Sequence, residues 1–228
     1  MKVHAINKMD RHMKNLIIAM SMTLPVLCGA VAQAADQETA IFAGGCFWCV
    51  ESDFESVAGV TEAISGFIGG LAKTASYKKI SNGGTGHYEA VQIKYDPSVV
   101  SYETLVDIFW RSIDATDDGG QFCDRGDSYK SAIFTLNAAQ FKRAKASKKE
   151  LEESGRLPKP VVTKILHASP FYPAGSYHQN YYKQKSIVIT RYGPIKKKTA
   201  YKKYRKACGR DARVTELWGK DAFIVAGE

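Results

Sequence analysis

Residues 39–55 read TAIFAGGCFWCVESDFE, and this stretch decides how the rest of the chain is read. Thr39–Ala43 predicts a short strand, Gly44-Gly45 a sharp turn, and Cys46 to about Glu55 a helix, with Gly59 closing the unit. Working outward, Glu62–Ile68 predicts a second strand ending at Gly69-Gly70. Residues 71–86 are polar and Gly-rich and read as a long loop. Tyr88–Tyr95 alternates as a strand stopped by Asp96-Pro97. Ser101 then caps a helix whose Tyr102, Leu105, Val106, Phe109, Trp110 and Ile113 form one buried stripe. Lys130–Leu136 is a strand, and Asn137 with Gln140 opens a basic-acidic helix that runs to Gly155. Val161–His167 is a further strand and Ser176–Lys183 a short helical turn. Strands and two principal helices interleave, so the expected fold is a single α+β domain, a two-layer α/β sandwich.

At 228 residues the chain fits one domain with appendages, and its 45% hydrophobic content is enough for a sizeable core. Residues 12–34, HMKNLIIAMSMTLPVLCGAVAQA, combine a basic start, an apolar stretch and a small-x-small site at Ala32-Gln33-Ala34. Residues 1–34 are expected to be a signal peptide cleaved after Ala34, with translation starting at Met1 or Met13, which exports the protein to the periplasm or beyond. Ser21, Thr23 and Pro25 interrupt the apolar run, which argues against a permanent anchor. Cys28 lacks a leucine three positions before it, which argues against a lipoprotein site. The domain is then drawn over 35–195, followed by an irregular, basic C-terminal extension at 196–228.

The formal charge is +9; without residues 1–34 the chain loses four of 32 basic and one of 23 acidic side chains, leaving about +6. Lys196–Lys198, Lys202, Lys203, Arg205 and Lys206 carry much of it. No aromatic stacking motif or zinc finger accompanies them, so a solvated or docking face is expected rather than nucleic acid.

Beyond the leader stand Cys46, Cys49, Cys123 and Cys208. An exported protein ordinarily uses an even count for structural disulfides. Cys46 and Cys49, however, form a C-x-x-C, a spacing suited to reversible redox chemistry rather than to stapling loops. A zinc site would need a second close pair, and Cys123 and Cys208 stand far apart, so no metal is expected. A cysteine at a helix N-terminus faces unpaired N–H groups and the positive end of the macrodipole, both of which favour the reactive thiolate.

The run Gly44-Gly45-Cys46-Phe47-Trp48-Cys49-Val50-Glu51 resembles the active-site signature of the peptide methionine sulfoxide reductases of the A type. The likeness continues in order through residues 83–89 (GGTGHYE), Tyr95-Asp96-Pro97, Phe109-Trp110, residues 123–133 (CDRGDSYKSAI), Phe171-Tyr172-Pro173 and Tyr177-His178-Gln179. It covers about Thr39 to Lys183. The resemblance implies a fold related to the ferredoxin-like arrangement and the reduction of methionine S-sulfoxide, free or in oxidised proteins. It also implies no bound cofactor and a thioredoxin-like external dithiol; a monomer is expected.

On that footing Cys46 is the nucleophile that attacks the sulfoxide sulfur. Phe47 and Trp48 form the methyl pocket, and Tyr181 matches a further pocket-lining tyrosine. Glu89 supplies a proton; on its alternating strand it shares a face with Val91 and Ile93, where an apolar setting would keep it neutral. Tyr77 and Tyr129 align with tyrosines that hold the sulfoxide oxygen, and Asp124 with an aspartate that organises the site. His178 is read as structural. The oxidised Cys46 must be resolved by a second thiol, with Cys49, one helical turn away, preferred and Cys208 its rival; Cys123 is placed near the pocket as an alternative. Many family members have glycine at the position of Cys49 and cysteines in a C-terminal tail, whose counterpart around Ile189–Gly193 has none here. Gly175-Ser176 also replaces an acidic pair. Two other classes remain open from the residues alone: a thioredoxin-like disulfide oxidoreductase and a binding module held by disulfides.

Overall fold

The structure is a computed structural model and describes residues 36–225. The leader expected over 1–34 and its cleavage site lie outside the described residues. In chain order the elements are β1 (Glu38–Gly44), α1 (Phe47–Glu55), β2 (Val60–Ile68), α2 (Tyr77–Ile80), β3 (Tyr88–Tyr95), α3 (Tyr102–Trp110), β4 (Gly120–Gln121), β5 (Asp124–Arg125), β6 (Ser131–Thr135), α4 (Ala138–Glu153), β7 (Lys164–His167), β8 (Tyr172–Pro173), β9 (Ile187–Thr190), β10 (Gly193–Lys196), α5 (Lys197–Cys208) and α6 (Arg210–Trp218).

Six strands form one mixed sheet in the order β7-β6-β1-β3-β2-β8. Only the β6–β7 pair is parallel; the others run antiparallel. Alternation along each strand divides its residues between two faces. On one face Phe42, Ala63, Val91, Ile93 and Ile133 pack against Phe47, Val50 and Phe54 of α1, Leu105, Val106 and Phe109 of α3, Ala144 of α4 and Val214 of α6. On the other, Ile41, Ala43, Ile68, Ala90, Ala132 and Phe134 form a thinner cluster against Leu166, Ala168 and Phe171, with no helix packed on it among the described residues. The fold is therefore a mixed α/β domain built on a central mixed sheet.

The helix starts follow the expected capping chemistry. The Ser101 hydroxyl accepts the Thr104 N–H, and the Asn137 carboxamide accepts the Gln140 N–H at 2.8 Å. The Gln140 side chain reaches back to the N–H of Leu136, one residue before the cap. Residues 71–86, read as a loop, contain a 3₁₀ turn at Ala72–Thr74 and the single-turn α2, which buries Ile80 completely.

The irregular C-terminal extension is corrected. Residues 197–218 are two helices joined at Gly209, preceded by the β9–β10 hairpin. The buried positions of α5 are Lys197, Ala200, Tyr201 and Arg205. Two of these four are charged, so the helical stripe does not appear as apolar periodicity. The drawn boundary at 195/196 falls inside β10.

Candidate active site

The turn from β1 into α1 is held from both sides. Gly45 has φ +86°, and a Cβ there would lie 2.6 Å from the Cβ of Gln121, which is fully buried. The Gln121 carboxamide accepts the Asp114 N–H and donates to its carbonyl, which locks the β4 segment against the turn. The Gly44 carbonyl accepts a hydrogen bond from the Arg210 guanidinium at 3.1 Å. Cys46 is the N-cap residue of α1, half-buried, and its carbonyl accepts the N–H groups of Cys49 and Val50.

Glu89 lies on β3 opposite Phe67 and is 2% exposed; Val91 and Ile93, on the same face, are fully buried. Its carboxyl accepts the Phe47 N–H at 3.1 Å, so it sits against the first turn of α1. Burial pushes it up to about 8, against the pull of that N–H, with the Asp124 and Cys49 charges adding to the rise. Burial also raises the Tyr77 and Tyr129 hydroxyls, and both feel the charges of Glu89, Cys46 and Asp124. These five groups, scattered over 84 residues of sequence, are therefore near enough for their charges to act on one another. Tyr77 begins α2 and Tyr129 ends the 3₁₀ turn Asp127–Tyr129. Asp124, at the start of β5, is raised by burial and drawn back by Arg210.

Phe47 is buried, and its ring lies 5.4 Å from that of His178 and 6.3 Å from that of Tyr77. Trp48 stacks on Tyr181 at 3.8 Å with the planes 10° apart. His178 is buried between these rings, and burial lowers it to about 4, with the Lys197 charge adding to the shift. It is neutral near pH 7, in keeping with a structural part.

The helix position alone led to the expectation of an acidic Cys46 thiol, and this is corrected. A hydrogen bond to the Cys49 sulfur, then burial, then the charges of Cys49, Glu89 and Asp124 push the Cys46 thiol well above the usual range. The same hydrogen bond draws Cys49 down; burial opposes this, and the Arg210 and Arg205 guanidiniums reinforce it. Both cysteines are free, and Cys49 is buried. Cys123 and Cys208 are joined in a disulfide across 85 residues, beside Asp124. One cavity of about 380 Å³ opens onto Cys46, Cys49, Cys123 and Cys208 alike. The one close grouping of metal-type ligands among the described residues, Cys123, Asp124 and Cys208, has both sulfurs in that disulfide.

Several contributors went unread in the sequence. Glu51, raised to about 7 by burial, accepts the Ser65 hydroxyl and the Asn180 N–H, both at 2.7 Å, and so fixes the turn that carries Tyr181. Asp53, also on α1 and fully buried, meets Arg205 at 2.7 Å and Arg210 at 3.6 Å. Arg205 also binds the Tyr201 hydroxyl and Asp211, and Arg210 the Ser112 carbonyl. Glu51 stands inside the signature octapeptide, which is its only signal. The arginines lie in a stretch that reads as a solvated basic tail.

The family model for peptide methionine sulfoxide reductase matches residues 38–213. The enzyme of that name from Bacillus pumilus is 50% identical over 156 residues, 68% of this chain and 88% of its own length. The Bacillus subtilis enzyme is 45% identical over 183 residues, 80% and 97% of the two chains. Among solved structures, reduced Mxr1 of Saccharomyces cerevisiae superposes with a TM-score of 0.61 at 28% identity, covering 65% of this chain and 86% of that one. Methionine sulfoxide reductase A of Corynebacterium diphtheriae gives 0.57 at 30% identity, over 66% and 75%. A family model over residues 38–213 and relatives at 45–50% identity over most of the chain agree with the structural likeness: the chain belongs to the peptide methionine sulfoxide reductase family.

Proposed function

We propose that this member of the family reduces methionine S-sulfoxide to methionine, with Cys46 as nucleophile and Glu89 as proton donor. The observation that carries the reading is the Glu89 carboxyl, buried against the first turn of α1 and neutral near pH 7. A sulfoxide oxygen is a poor leaving group until it is protonated, and Glu89 is placed to protonate it. The Tyr77 and Tyr129 hydroxyls, kept protonated by burial, donate hydrogen bonds to that oxygen, and Asp124 orders the wall beside them. Phe47 and Trp48, the latter backed by Tyr181, seat the methyl group.

As the Cys46 sulfur, reacting as its thiolate, bonds to the substrate sulfur, the oxygen takes the Glu89 proton and Glu89 is left as the carboxylate. Net transfer of that oxygen to Cys46 leaves a sulfenic acid and releases methionine. Cys49, already hydrogen-bonded to Cys46 and drawn toward thiolate by Arg210 and Arg205, is the resolving thiol. It attacks the sulfenic sulfur, water leaves, and a Cys46–Cys49 disulfide forms, which a thioredoxin-like dithiol then reduces. Cys208, bound to Cys123, is the less ready rival. Export through the leader is part of this reading, supported by that disulfide, which an oxidising compartment maintains. The antiparallel order β6-β1-β3-β2, with helices in both crossovers, supports the ferredoxin-like relationship.

Separate S and R epimers of a protected methionine sulfoxide test the reading, with dithiothreitol as reductant and a Cys46→Ser control. Turnover of the S form alone, lost in the control, is expected. Turnover of neither epimer by folded, reduced protein would overturn it and favour a disulfide-exchange enzyme.

A further inference from the structure

The β9–β10 hairpin has no part in the chemistry above, yet it walls the cavity beside Cys46. The cavity meets Val188, Ile189, Thr190 and Arg191 and no residue of β10. Among the described residues β9 pairs with β10 alone. The cavity is therefore bordered by β9, the strand of the hairpin whose second edge pairs with no strand among the described residues.

The two faces of this strand differ. Val188, with Ile195 of β10 and Tyr204 of α5, packs toward Tyr201 and seats the hairpin. Ile187 and Ile189 point the other way and are 72% and 87% exposed. Uncovered isoleucines on a strand edge are what natural sheets usually avoid, because such an edge pairs with other chains. Here Lys185, Arg191 and Lys196, all exposed, surround them. The Arg191 guanidinium is braced 5.0 and 5.4 Å from the Tyr192 and Tyr204 rings.

From this we infer that the free edge of β9 is a docking rail for an extended polypeptide segment carrying the oxidised methionine, with apolar and acidic residues flanking it. The inference rests on the catalytic reading of Cys46. An added strand is held by main-chain hydrogen bonds, which are indifferent to sequence, while alternate side chains meet the outer face. That suits a substrate defined by one modified side chain in varied surroundings. Ile187 and Ile189 cover apolar neighbours of the sulfoxide, and the cations attract acidic ones. The continuity of β9 with the Cys46 cavity singles out the substrate chain as occupant.

The test uses a nine-residue peptide with central methionine sulfoxide flanked by leucine and aspartate, the same peptide N-methylated at alternate amides, and N-acetylmethionine sulfoxide amide. The full chain is compared with Ile187→Ser/Ile189→Ser for turnover, and for binding of the labelled peptide by fluorescence anisotropy. The double variant should bind the peptide about tenfold more weakly and show a matching rise in KM. It should reduce the amide as well as the parent does, which also shows that it has folded. N-methylation should reproduce the loss in the unaltered chain. Peptide binding unchanged by both the variant and N-methylation would overturn the inference. So would a sedimentation shift showing that the variant merely dissolves a dimer of this chain. If the unaltered chain binds the peptide and the variant does not, but neither substrate is reduced, the catalytic reading fails and the docking rail stands.

Discussion

Two regions meet on α1, the helix that Cys46 begins, and they are built by opposite means. The β1–β3 side is apolar: Phe42, Val91 and Ile93 are fully buried, as is Phe54 of α1 packed against them, and the carboxyl that β3 brings beside Cys46, Glu89, is pushed toward neutrality. The α5–α6 side is a buried ionic clamp in which Arg205 and Arg210, 3% and 2% exposed, close on Asp53 of α1. The first region supplies an acid by withholding counter-charge; the second supplies cations that favour a thiolate at Cys49. One helix, α1, therefore takes a proton donor at its start and a positive field along its flank.

Predictions that would break or sharpen this contrast run from large effects to small. Glu89→Gln should lower kcat by about 10²–10⁴-fold, read by methionine release in a single turnover, with little change in unfolding free energy. Equal losses of rate and stability would erase the distinction between the regions. Arg205→Met should do the reverse and cost about 3–5 kcal/mol in chemical denaturation, because it leaves the buried Asp53 carboxylate with Arg210 alone, at 3.6 Å. Cys208→Ser opens the cross-link between α5 and the β4–β5 segment and should cost roughly 2–4 kcal/mol. It should leave turnover driven by a thioredoxin-like dithiol standing, whereas Cys49→Ser, given substrate in the absence of small thiols, should stop after one turnover with Cys46 trapped as a sulfenic acid, detectable by dimedone labelling. The reverse pattern would move resolution to Cys208. Trp48→Ala should raise KM for the protected sulfoxide by about tenfold through loss of the Tyr181-backed wall.

The same contrast explains what could be read in the sequence. Apolar residues at strand and helix spacing announce themselves, so β3 runs Tyr88–Tyr95 as expected and the Ser101 and Asn137 caps stand at their helix starts. Cys46, Glu89, Tyr77, Tyr129 and Asp124 are singled out by motif order, and in the fold their charges act on one another. The α5–α6 clamp was not legible, because a buried arginine with a buried partner looks like surface charge until the partner is known. Its partner, Asp53, stands 152 residues away. The elevated Cys46 thiol was hidden in part for the same reason: its largest cause, the hydrogen bond to Cys49, is local, but the burial and the carboxyls of Glu89 and Asp124 that add to it come from the folded chain.

The most direct test of the central claim is the pH dependence of the single-turnover rate for the unaltered chain and for Glu89→Gln. Below about 8 Glu89 holds its proton, so the rate should climb as thiolate forms at Cys46. Above that value each pH unit gains about tenfold in thiolate and loses about tenfold in protonated donor, so the rate should level off. Glu89→Gln, far slower, should climb through pH 8 without that break. A break near 8 that persists in Glu89→Gln, or a parent rate that rises through it unbroken, would contradict Glu89 as the proton donor.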